Sequence, residues 1–351
     1  MNDIVIGGKK ISRDGPPFIV AEVGINHNGD LATALKMIGV AKKAGADAVK
    51  FQTFRASEFV GDPEQMFTYR SQGKEVTESM LEMFKRYELR GDDWKAIKRK
   101  CHEEEVAFLS TPQNRSDLDL LLEIGMDAIK VGSDDFTNIP LLRSYCETGL
   151  PMIVSSGMAD LAEVYRALSA IGTFDGYPTV LLHCTSQYPT PLPEVRILNI
   201  RTLLKTFPMI VVGFSDHTQG PLASSLAVAL GARVFEKHFT LRHDLAGPDH
   251  WFSEDPEGLK AWMDGIRISY TMLGDGIVRP TAAEENMRGV ARRSVVALRE
   301  IREGEVLDAS NIGLRRPGSG LPPELFSRIL GMRASRVLAK GQTLTLGDFT
   351  K

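Results

Sequence analysis

Short apolar runs alternate with longer segments of helical periodicity over most of the chain. The runs are rich in β-branched residues and occupy 18–24, 48–53, 106–111, 128–133, 152–157, 179–185, 210–217 and 234–240. Strands buried on both faces have this composition, and they occur in parallel sheets covered by helices. The pattern therefore predicts buried parallel strands, each followed by a helix.

The intervening segments carry the start and stop signals of helices. Asp30 is a candidate N-cap before an apolar stripe, and Gly45, Gly125, Gly172 and Gly231 each follow the end of such a stripe. Glycine is favoured just past a helix end because it adopts the left-handed backbone conformation without steric cost. These signals predict where several of the helices begin and end.

Two of the strand-helix units repeat each other, since GADAVK at 45–50 matches GMDAIK at 125–130. Eight such units over about 260 residues favour an α/β fold of the (β/α)₈, or TIM barrel, type. A doubly wound open sheet is the rival fold. It is disfavoured because GINHNG at 24–29 is not a Gly-rich dinucleotide loop. The barrel is predicted over residues 1–274.

Three further segments have a different texture. Residues 55–92 are long, polar and charged, so they are predicted as an extended loop over the active-site face, in the position of a lid. Residues 275–290 contain Gly, Pro and an Ala-Ala-Glu-Glu run and are predicted as a linker. Short strand-like runs with Gly turns over 291–351 predict a small β-rich domain.

Composition excludes several classes of protein. Hydrophobic residues make up 43% and charged residues 25%, and the formal net charge of −3 argues against binding to nucleic acid or to membrane surfaces. No apolar run reaches the length of a transmembrane helix, and the first residues lack the order of a signal peptide. Three widely spaced cysteines form no disulfide framework, which predicts a cytoplasmic protein.

Polar side chains collect where the predicted strands end. Among them are Glu22, Lys50, Thr111, Lys130, Ser133, Asp135, Ser155, Ser215, His217 and His238. The C-terminal ends of the strands of a parallel barrel converge on one mouth, where such barrels carry their active sites. Because Lys and Glu are rarely buried without a partner, a site is favoured over scattered core polar groups.

The residue types indicate the chemistry. Lys50 and Lys130 lie among hydroxyl groups, and together they suit a ligand that bears phosphate and carboxylate. His217 and His238 end consecutive strands and could hold a divalent metal, although their spacing leaves an ordinary hydrogen-bonding role equally open.

Other candidate residues follow from the same pattern. Glu22, Asp135 and Asp249 could hold sugar hydroxyls or move protons. Cys184 beside His183 could act as a thiol nucleophile, but this is disfavoured because no second histidine is clearly tied to the cysteine.

At these motifs the sequence resembles the bacterial sialic acid synthase family. The matching segments are FIVAEVGINHNGD (18–30), DAVKFQTF (47–54), FLSTP (108–112), IKVGS (129–133), SSGM (155–158), LLHCTSQYPTP (181–191), GFSDHT (213–218), EKHFT (236–240), GPDH (247–250) and RRPGSG (315–320). So many motifs in order, through nearly the whole chain, are specific at the level of the family.

The resemblance implies a (β/α)₈ barrel followed by an antifreeze-like (SAF) domain, in a domain-swapped homodimer. It implies condensation of phosphoenolpyruvate with an N-acetylated amino sugar to give a nonulosonic acid, N-acetylneuraminate or N,N'-diacetyllegionaminate. His217 and His238 would ligate a divalent metal, with Mn²⁺ expected and Mg²⁺ or Co²⁺ as alternatives. The residues implied around phosphoenolpyruvate are Lys50, Thr111, Lys130, Ser133, Ser155, Ser186 and Ser215.

The resemblance also implies the sugar contacts. Glu22, Gln52, Tyr188 and Asp249 would contact the sugar, and Arg316 would reach its acyl-amino group across the dimer. Asp135 would help to position the water that attacks the oxocarbenium centre.

Some positions depart from the family pattern. Asp134-Asp135 stands where Gly-Glu is common, and Ser186 stands where Asn is common. FQTF at 51–54 replaces HQTH and looks closer to synthases of legionaminic or related acids. A pseudaminic acid synthase, another phosphoenolpyruvate-condensing enzyme and a non-catalytic sugar-binding protein are the alternative functions.

Overall fold

The computed structural model describes residues 4–351 and consists of two compact units, the first ending at Gly274 and the second beginning at Asp275. Residues 1–3 of the predicted barrel range lie outside the described residues. No helix in the described part of the chain combines the length and the apolar character needed to cross a membrane.

Eight strands of the first unit close into a barrel. In chain order the strands of this unit are β1 (Ile4–Ile6), β2 (Lys9–Ile11), β3 (Phe18–Gly24), β4 (Ala48–Thr53), β5 (Met66–Ser71), β6 (Lys74–Ser79), β7 (Ala107–Pro112), β8 (Ala128–Val131), β9 (Met152–Ser155), β10 (Thr179–Cys184), β11 (Val211–Ser215) and β12 (Val234–His238). The barrel runs from β3 through β4 and β7 to β12 and back to β3, with every neighbouring pair parallel. The predicted (β/α)₈ barrel is confirmed, and the open sheet is excluded.

Helices cover the outside of the barrel. They are α1 (Leu31–Ala44), α2 (Ala56–Phe59), α3 (Met80–Tyr87), α4 (Gly91–Glu103), α5 (Arg115–Ile124), α6 (Ile139–Cys146), α7 (Leu161–Ile171), α8 (Asn199–Thr206), α9 (Leu222–Leu230) and α10 (Pro256–Met272). The buried faces of α1 and of α4 to α10 pack against the outward-facing residues of the strands in one continuous apolar core, whereas α2 and α3 pack in a separate cluster described below. This core lies between the sheet and the helices, so the bore of the barrel is a separate environment.

Several helix ends lie where the sequence places them. The carboxylate of Asp30 accepts the backbone N–H of Thr33 at the start of α1. The C-cap glycines of α1, α5, α7 and α9 are the four predicted ones, and their φ angles lie between 78° and 106°. Only glycine adopts this left-handed conformation freely, which is why the signal is readable from sequence.

The bore of the barrel is apolar at one end and polar at the other. The apolar end is a buried cluster to which hairpin β1–β2 contributes, made of Ile4, Ile6, Ile11, Phe18, Val20, Ala48, Ala107, Leu109, Ala128, Ile153, Val180, Leu182, Val211 and Val234. Side chains alternate between the two faces of a strand. The next inward side chains toward the C-terminal ends are Glu22, Lys50, Thr111, Lys130, Ser155, Cys184, Ser215 and Glu236, all of them buried.

Residues 55–92 are folded, so their prediction as an extended loop is wrong. They contain α2, α3 and the antiparallel hairpin β5–β6, whose turn has Gln72 and Gly73 at positive φ. A separate buried cluster of Ile25, Phe54, Met83 and Tyr87 anchors this segment. Two of these four residues lie outside the segment or at its edge, so its own sequence shows only patchy periodicity.

The second unit is a small β-rich fold with a helix at its start. Its elements are α11 (Ala282–Ala291), β13 (Ser294–Ala297), β14 (Ile312–Arg315), α12 (Phe326–Ile329), β15 (Arg333–Ala334) and β16 (Phe349–Thr350). It has its own buried apolar cluster, which includes Val295, Leu307 and Leu338. Helix α11 occupies most of the segment predicted as a linker. The domain boundaries at 275 and 291 stay predictions.

A buried ion pair ties β12 to the loop that follows β11. The Nζ of Lys237 lies 3.1 Å from Oδ2 of Asp216, and both side chains are almost completely buried. Asp216 also accepts hydrogen bonds from Thr218, from the hydroxyl of Ser224 and from the indole N–H of Trp262. Because Lys237 alternates with the inward-facing neighbours on β12, this network lies outside the bore and connects the strand ends to α9 and α10.

Loss of the cation in this network should destabilise the barrel. Lys237→Met leaves the carboxylate of Asp216 buried without its charge partner, and breaking a buried pair costs about 3–5 kcal/mol. We expect the free energy of unfolding of the full chain, measured by urea titration, to fall by that amount.

Lys260→Met is the matched control, since the Lys260–Asp264 pair on α10 is exposed. Exposed pairs contribute about 0–1 kcal/mol, so the control should retain nearly the stability of the unmodified chain. Equal stability losses in the two variants would show that the buried network does not have this role.

Candidate active site

The polar ends of the barrel strands surround a cavity of about 330 Å³, the main cavity. Its lining includes Lys50, Gln52, Thr111, Lys130, Ser133, Asp134, Ser155, Cys184, Ser186, Tyr188, Ser215, His217, Glu236 and His238. These residues come from β4, β7 to β12 and the loops that follow them. The main cavity therefore lies at the C-terminal face of the barrel, where barrel enzymes hold their active sites.

Two lysines and two glutamates form a charge cluster at one side of the main cavity. The Nζ of Lys50 lies 3.0 Å from Oε1 of Glu22 and 3.6 Å from Oε1 of Glu236. The Nζ of Lys130 lies 3.7 Å from the same oxygen of Glu236 and donates a hydrogen bond to the hydroxyl of Ser155 at 2.7 Å. All four charged side chains are buried, so each depends on its partners to remain ionised.

The four charges do not titrate alike. Burial raises the pKa of Glu22 to about 7, against the opposing charge of Lys50. Burial acts against the charge of Lys50 too, but Glu22 and Glu236 outweigh it and raise the pKa of this lysine. In Glu236 the two lysines overcome burial and lower the pKa. Burial, reinforced by repulsion from Lys50, lowers the pKa of Lys130.

Several buried polar atoms at the main cavity lack a hydrogen-bond partner among the described residues. They are Oε2 of Glu22, Oε2 of Glu236 and the hydroxyls of Thr111 and Ser186. A buried polar atom without a partner is costly, so such atoms mark places that solvent or a ligand completes. Free hydroxyl donors beside two ammonium groups suit an anionic ligand.

Two imidazoles face each other at the rim of the main cavity, with ring centroids 5.7 Å apart. Nδ1 of His217 lies 2.8 Å from the carbonyl oxygen of Thr185, which can only accept, so Nδ1 carries a proton, and Nε2 lies 3.5 Å from the hydroxyl of Ser215. Burial holds the pKa of His238 well below its ordinary value, and its Nδ1 has no hydrogen-bond partner among the described residues.

This donor set fits a divalent cation that also takes ligands from solvent or substrate. Neutral imidazoles are common metal ligands, and the carbonyl on the far nitrogen of His217 is the usual second contact of a ligating histidine. Within residues 4–351 no group of three or more His, Cys, Asp or Glu side chains is arranged to hold a metal. The chain would therefore supply two ligands, His217 and His238, and leave the other positions open.

Cys184 lies closer to a histidine than the sequence indicates. Its sulfur is 3.9 Å from Nδ1 of His217, a histidine that the sequence does not clearly tie to the cysteine. That nitrogen already donates its proton to the carbonyl of Thr185, so it has no lone pair with which to deprotonate the thiol. The geometry gives Cys184 no general base, which argues against a nucleophilic role.

A second cavity of about 500 Å³, the adjoining cavity, opens beside the two imidazoles. It shares five lining residues with the main cavity, namely Gln52, Phe84, Asp134, Tyr188 and His238. The ring of Tyr188 lies 4.1 Å from that of His217, between centroids. Burial raises the pKa of Asp249, which lines the adjoining cavity, to about 6.

The chain matches the model of the NeuB family over residues 37–278 and the model of the SAF domain over residues 292–350. Over 331 residues, 93% of each chain, it is 39% identical to the N,N'-diacetyllegionaminic acid synthase of Legionella pneumophila. The chain belongs to the NeuB family. This result confirms the resemblance to nonulosonic acid synthases followed by a SAF domain.

Solved structures of NeuB-like proteins share the fold. The crystal structure of N-acetylneuraminic acid (sialic acid) synthetase from Leptospira borgpetersenii, in complex with citrate, is 32% identical with a TM-score of 0.73, and the match covers 82% of this chain and 95% of that chain. The spore coat polysaccharide biosynthesis protein SpsE of Bacillus subtilis is 33% identical with a TM-score of 0.69, and the match covers 100% of this chain and 99% of that chain.

In this NeuB-family barrel most of the predicted site residues lie together. Those that line the main cavity are Lys50, Gln52, Thr111, Lys130, Ser133, Ser155, Ser186, Tyr188, Ser215, His217 and His238. Glu22 lies against Lys50, and Asp249 lines the adjoining cavity. Their roles stay predictions, but their positions agree with one shared site.

Two predicted residues lie elsewhere. Asp135 is not part of the lining, because its carboxylate accepts a hydrogen bond from Asn138 at the start of α6, while Asp134 faces the main cavity. Arg316 is an exposed residue of the second unit, next to the end of β14.

Glu236, which links both lysines, has no role among the site residues predicted from the sequence. A signal exists, because Glu236-Lys237-His238 places three ionisable residues in succession on a buried strand. Alternation puts the first and third on the inner face, so Glu236 could have been assigned together with His238.

The polar residues that follow β3 are structural. Asn26 donates from Nδ2 to the carbonyl of Phe239 and to the hydroxyl of Ser253, and Nδ1 of His27 accepts the backbone N–H of Gly29. Nearby, His250 bonds to the hydroxyl of Thr240 through Nδ1 and to Asn28 through Nε2. Burial lowers the pKa of both His27 and His250 to about 4.

These two histidines should make the fold sensitive to acid. The unfolded chain takes up protons at an ordinary histidine pKa near 6.5, whereas the folded imidazoles resist protonation down to about 4. The stabilisation is therefore fully present above pH 6.5 and is lost as the pH falls toward 4, by about 2 kcal/mol per histidine at pH 5. We expect His250→Gln to reduce the loss of unfolding free energy between pH 7 and pH 5 by about that amount, measured by urea titration.

His102→Gln is the control, because His102 is exposed on α4. Its pH dependence of stability should match that of the unmodified chain. The assignment fails if His250→Gln loses as much stability on acidification as the control does.

Proposed function

We propose that the protein is a phosphoenolpyruvate-dependent nonulosonic acid synthase. It would condense phosphoenolpyruvate with an N-acetylated mannosamine-type sugar to give a nonulosonic acid, either N-acetylneuraminate or N,N'-diacetyllegionaminate, and phosphate. The observation that carries the proposal is the single cavity that brings two buried lysines within reach of the same glutamate and sets two imidazoles at its rim. Family membership supports the same reaction.

Phosphoenolpyruvate fits the lysine side of the main cavity. Its phosphate and carboxylate need several positive and hydrogen-bonding groups, which Lys50, Lys130 and the hydroxyls of Ser133, Ser155 and Ser215 provide. Thr111 and Ser186 add hydroxyls that have no other partner among the described residues. Fixed charges of this kind also stabilise phosphate as it leaves.

The open-chain sugar would place its aldehyde at the imidazole side. His217 and His238 would hold a divalent metal, for which we propose Mn²⁺, with Mg²⁺ and Co²⁺ as alternatives. The metal would supply Lewis-acid polarisation of the aldehyde carbonyl. Gln52, Tyr188 and Asp249 lie on the same side and would orient the sugar, and Glu22 keeps one unpartnered oxygen for a sugar hydroxyl.

The proposed reaction forms a bond between C3 of phosphoenolpyruvate and the aldehyde carbon, whose oxygen takes up a proton. Water then adds to C2 at the oxocarbenium centre, and phosphate leaves with cleavage of its C–O bond to C2. The family resemblance implies that Asp135 positions this water. Asp134 is the carboxylate of the pair that faces the main cavity, so it is better placed for this task.

Phosphate release tests the function directly. We expect release from phosphoenolpyruvate only when an N-acetylated mannosamine-type sugar and a divalent metal are both present, and loss of release when a chelator is added. His217→Ala should lower kcat by about a thousandfold, because Lewis-acid activation contributes several kcal/mol. It should also weaken Mn²⁺ binding, measured by electron paramagnetic resonance titration.

Lys130→Met separates the two substrates. It should weaken phosphoenolpyruvate binding by about tenfold to a hundredfold, since a hydrogen bond to a charged group contributes 1.5–3 kcal/mol, and should leave the KM for the sugar nearly unchanged. Lys260→Met, on the exposed face of α10, is the control. Sugar binding without phosphate release under any metal condition would leave a non-catalytic sugar-binding protein as the better assignment.

We extend the proposal to a domain-swapped homodimer in which Arg316 reaches the sugar in the barrel of the other protomer. Its support is the family resemblance and the exposure of Arg316. Arg316→Ala should raise the KM for the sugar and spare phosphoenolpyruvate binding.

Complementation tests whether Arg316 acts across the dimer. A heterodimer of His217→Ala and Arg316→Ala chains, isolated through two affinity tags, contains one intact site if Arg316 crosses to the other protomer. We then expect about half of the unmodified activity per dimer. If Arg316 serves its own barrel, neither site is intact, and the heterodimer shows no more than half of the activity of the Arg316→Ala homodimer, with its raised KM for the sugar.

A further inference from the structure

The adjoining cavity differs in character from the main cavity. Besides Gln52 of β4 and His238 of β12, which it shares with the main cavity, its walls come from hairpin β5–β6, from α3 and from residues 248–252. From this difference we infer that the adjoining cavity is a subsite for apolar substituents of the sugar, and that it selects a 6-deoxy sugar with acylamino groups over N-acetylmannosamine. The inference rests on the proposed function and deepens it.

Aromatic side chains form much of the lining of the adjoining cavity. The aromatic wall, as we name it, consists of Phe67, Tyr69, Phe84, Trp251 and Phe252. The rings of Phe67 and Tyr69 are stacked with centroids 5.8 Å apart, and those of Trp251 and Phe252 meet edge to face at 5.7 Å. Tyr188, at the border with the main cavity, continues the series at 5.1 Å from Phe252.

The aromatic wall offers few hydrogen-bonding groups to a ligand. The hydroxyl of Tyr69 donates to Glu78 at 2.5 Å, and Glu78 is held in turn by two guanidinium contacts from Arg86. Tyr69 therefore presents its ring face, as the phenylalanines do. Gln52 and Asp134 lie at the border shared with the main cavity, so Asp249 and Arg70 are the charged residues that line the adjoining cavity alone.

The two cavities impose a direction on the sugar. His238 and Tyr188 line both, so a sugar whose aldehyde lies at the imidazoles can extend its other carbons into the adjoining cavity. The lysine side is not open to it, because phosphoenolpyruvate occupies that part in the proposed reaction. The distal substituents of the sugar would therefore meet the aromatic wall.

The aromatic wall favours apolar substituents at that end of the sugar over polar ones. A hydroxyl pressed against the aromatic wall loses its water and finds no partner, whereas a methyl group gains from leaving water. The methyl of a 6-deoxy carbon and the methyl of an acetamido group both suit the wall. Arg70 supplies a donor for an acyl carbonyl, since its guanidinium lies 5.0 Å over Trp251 and forms no ion pair within residues 4–351.

A kinetic comparison of two sugars tests the subsite. We expect kcat/KM for 2,4-diacetamido-2,4,6-trideoxymannose to exceed that for N-acetylmannosamine by about tenfold to a hundredfold, the discrimination that an apolar pocket achieves for such groups. Phe67→Asn should lower this ratio by about tenfold, and Phe67→Leu, which keeps an apolar side chain, should retain it. Phosphoenolpyruvate affinity, measured by calorimetry, should stay unchanged in both variants.

Tyr165→Asn is a matched control outside the site, because Tyr165 is an exposed aromatic residue stacked on Phe174 at 5.4 Å. It should leave the ratio unchanged. Equal use of the two sugars, a preference for N-acetylmannosamine, or a Phe67→Asn ratio equal to that of the control would each overturn the inference and leave the synthase function standing. If neither sugar releases phosphate while phosphoenolpyruvate binds, the proposed function fails and the inference with it.

Discussion

The structure depends on how two ammonium groups and two carboxylates are kept ionised inside a protein core. Lys50 and Lys130 share one oxygen of Glu236, and Glu22 pairs with Lys50 alone. Glu236 is stabilised twice and keeps its charge, whereas burial raises the pKa of Glu22 to about 7. The cluster therefore gains positive charge whenever Glu22 is protonated, and an anion that enters the main cavity supplies negative charge that the protein itself only partly provides. The same ion pairs that stabilise the buried lysines leave part of their positive charge available to a phosphorylated ligand.

Successive side chains of a β-strand point to opposite faces, so neighbouring residues of β12 have different roles. On β12 the inner face carries Glu236 and His238, while Lys237 between them belongs to the outer network with Asp216. Asp216 precedes His217 and Lys237 precedes His238, so the outer ion pair fixes the position of both segments that carry the imidazoles. Reactive side chains that must lie in a hydrated cavity thus depend on an ion pair that is shielded from water. This explains why ionisable residues are dense at these strand ends without all of them being catalytic.

Much of this architecture could be predicted from the sequence, because local signals determine it. The C-cap glycines of α1, α5, α7 and α9 need a left-handed conformation, and buried parallel strands need continuous apolar runs. The convergence of Lys50, Lys130, His217 and His238 follows from topology alone once the barrel is assumed. Hairpin β5–β6 could not be found in this way, since the cluster beneath it includes Ile25 and Phe54 from other parts of the chain. For the same reason the contact between Cys184 and His217, and the inward position of Asp134 rather than Asp135, are visible only in three dimensions.

The main cavity and the adjoining cavity are built from different parts of the fold. This difference affects whether the sugar substrate can be inferred from related proteins. Lys50, Lys130 and Glu236 at the main cavity are strand residues whose register is set by the closed sheet, so any barrel with this pattern presents nearly the same charges. The adjoining cavity is built from a hairpin, a short helix and a loop, and such segments change shape and composition without disturbing the core. If the adjoining cavity is the sugar subsite that we infer, the choice of sugar would depend on these segments and not on the barrel. Relatives named for legionaminic and for N-acetylneuraminic acid, at 39% and 32% identity, are consistent with this division. On that inference, the side chains of the aromatic wall would indicate the sugar better than overall identity does.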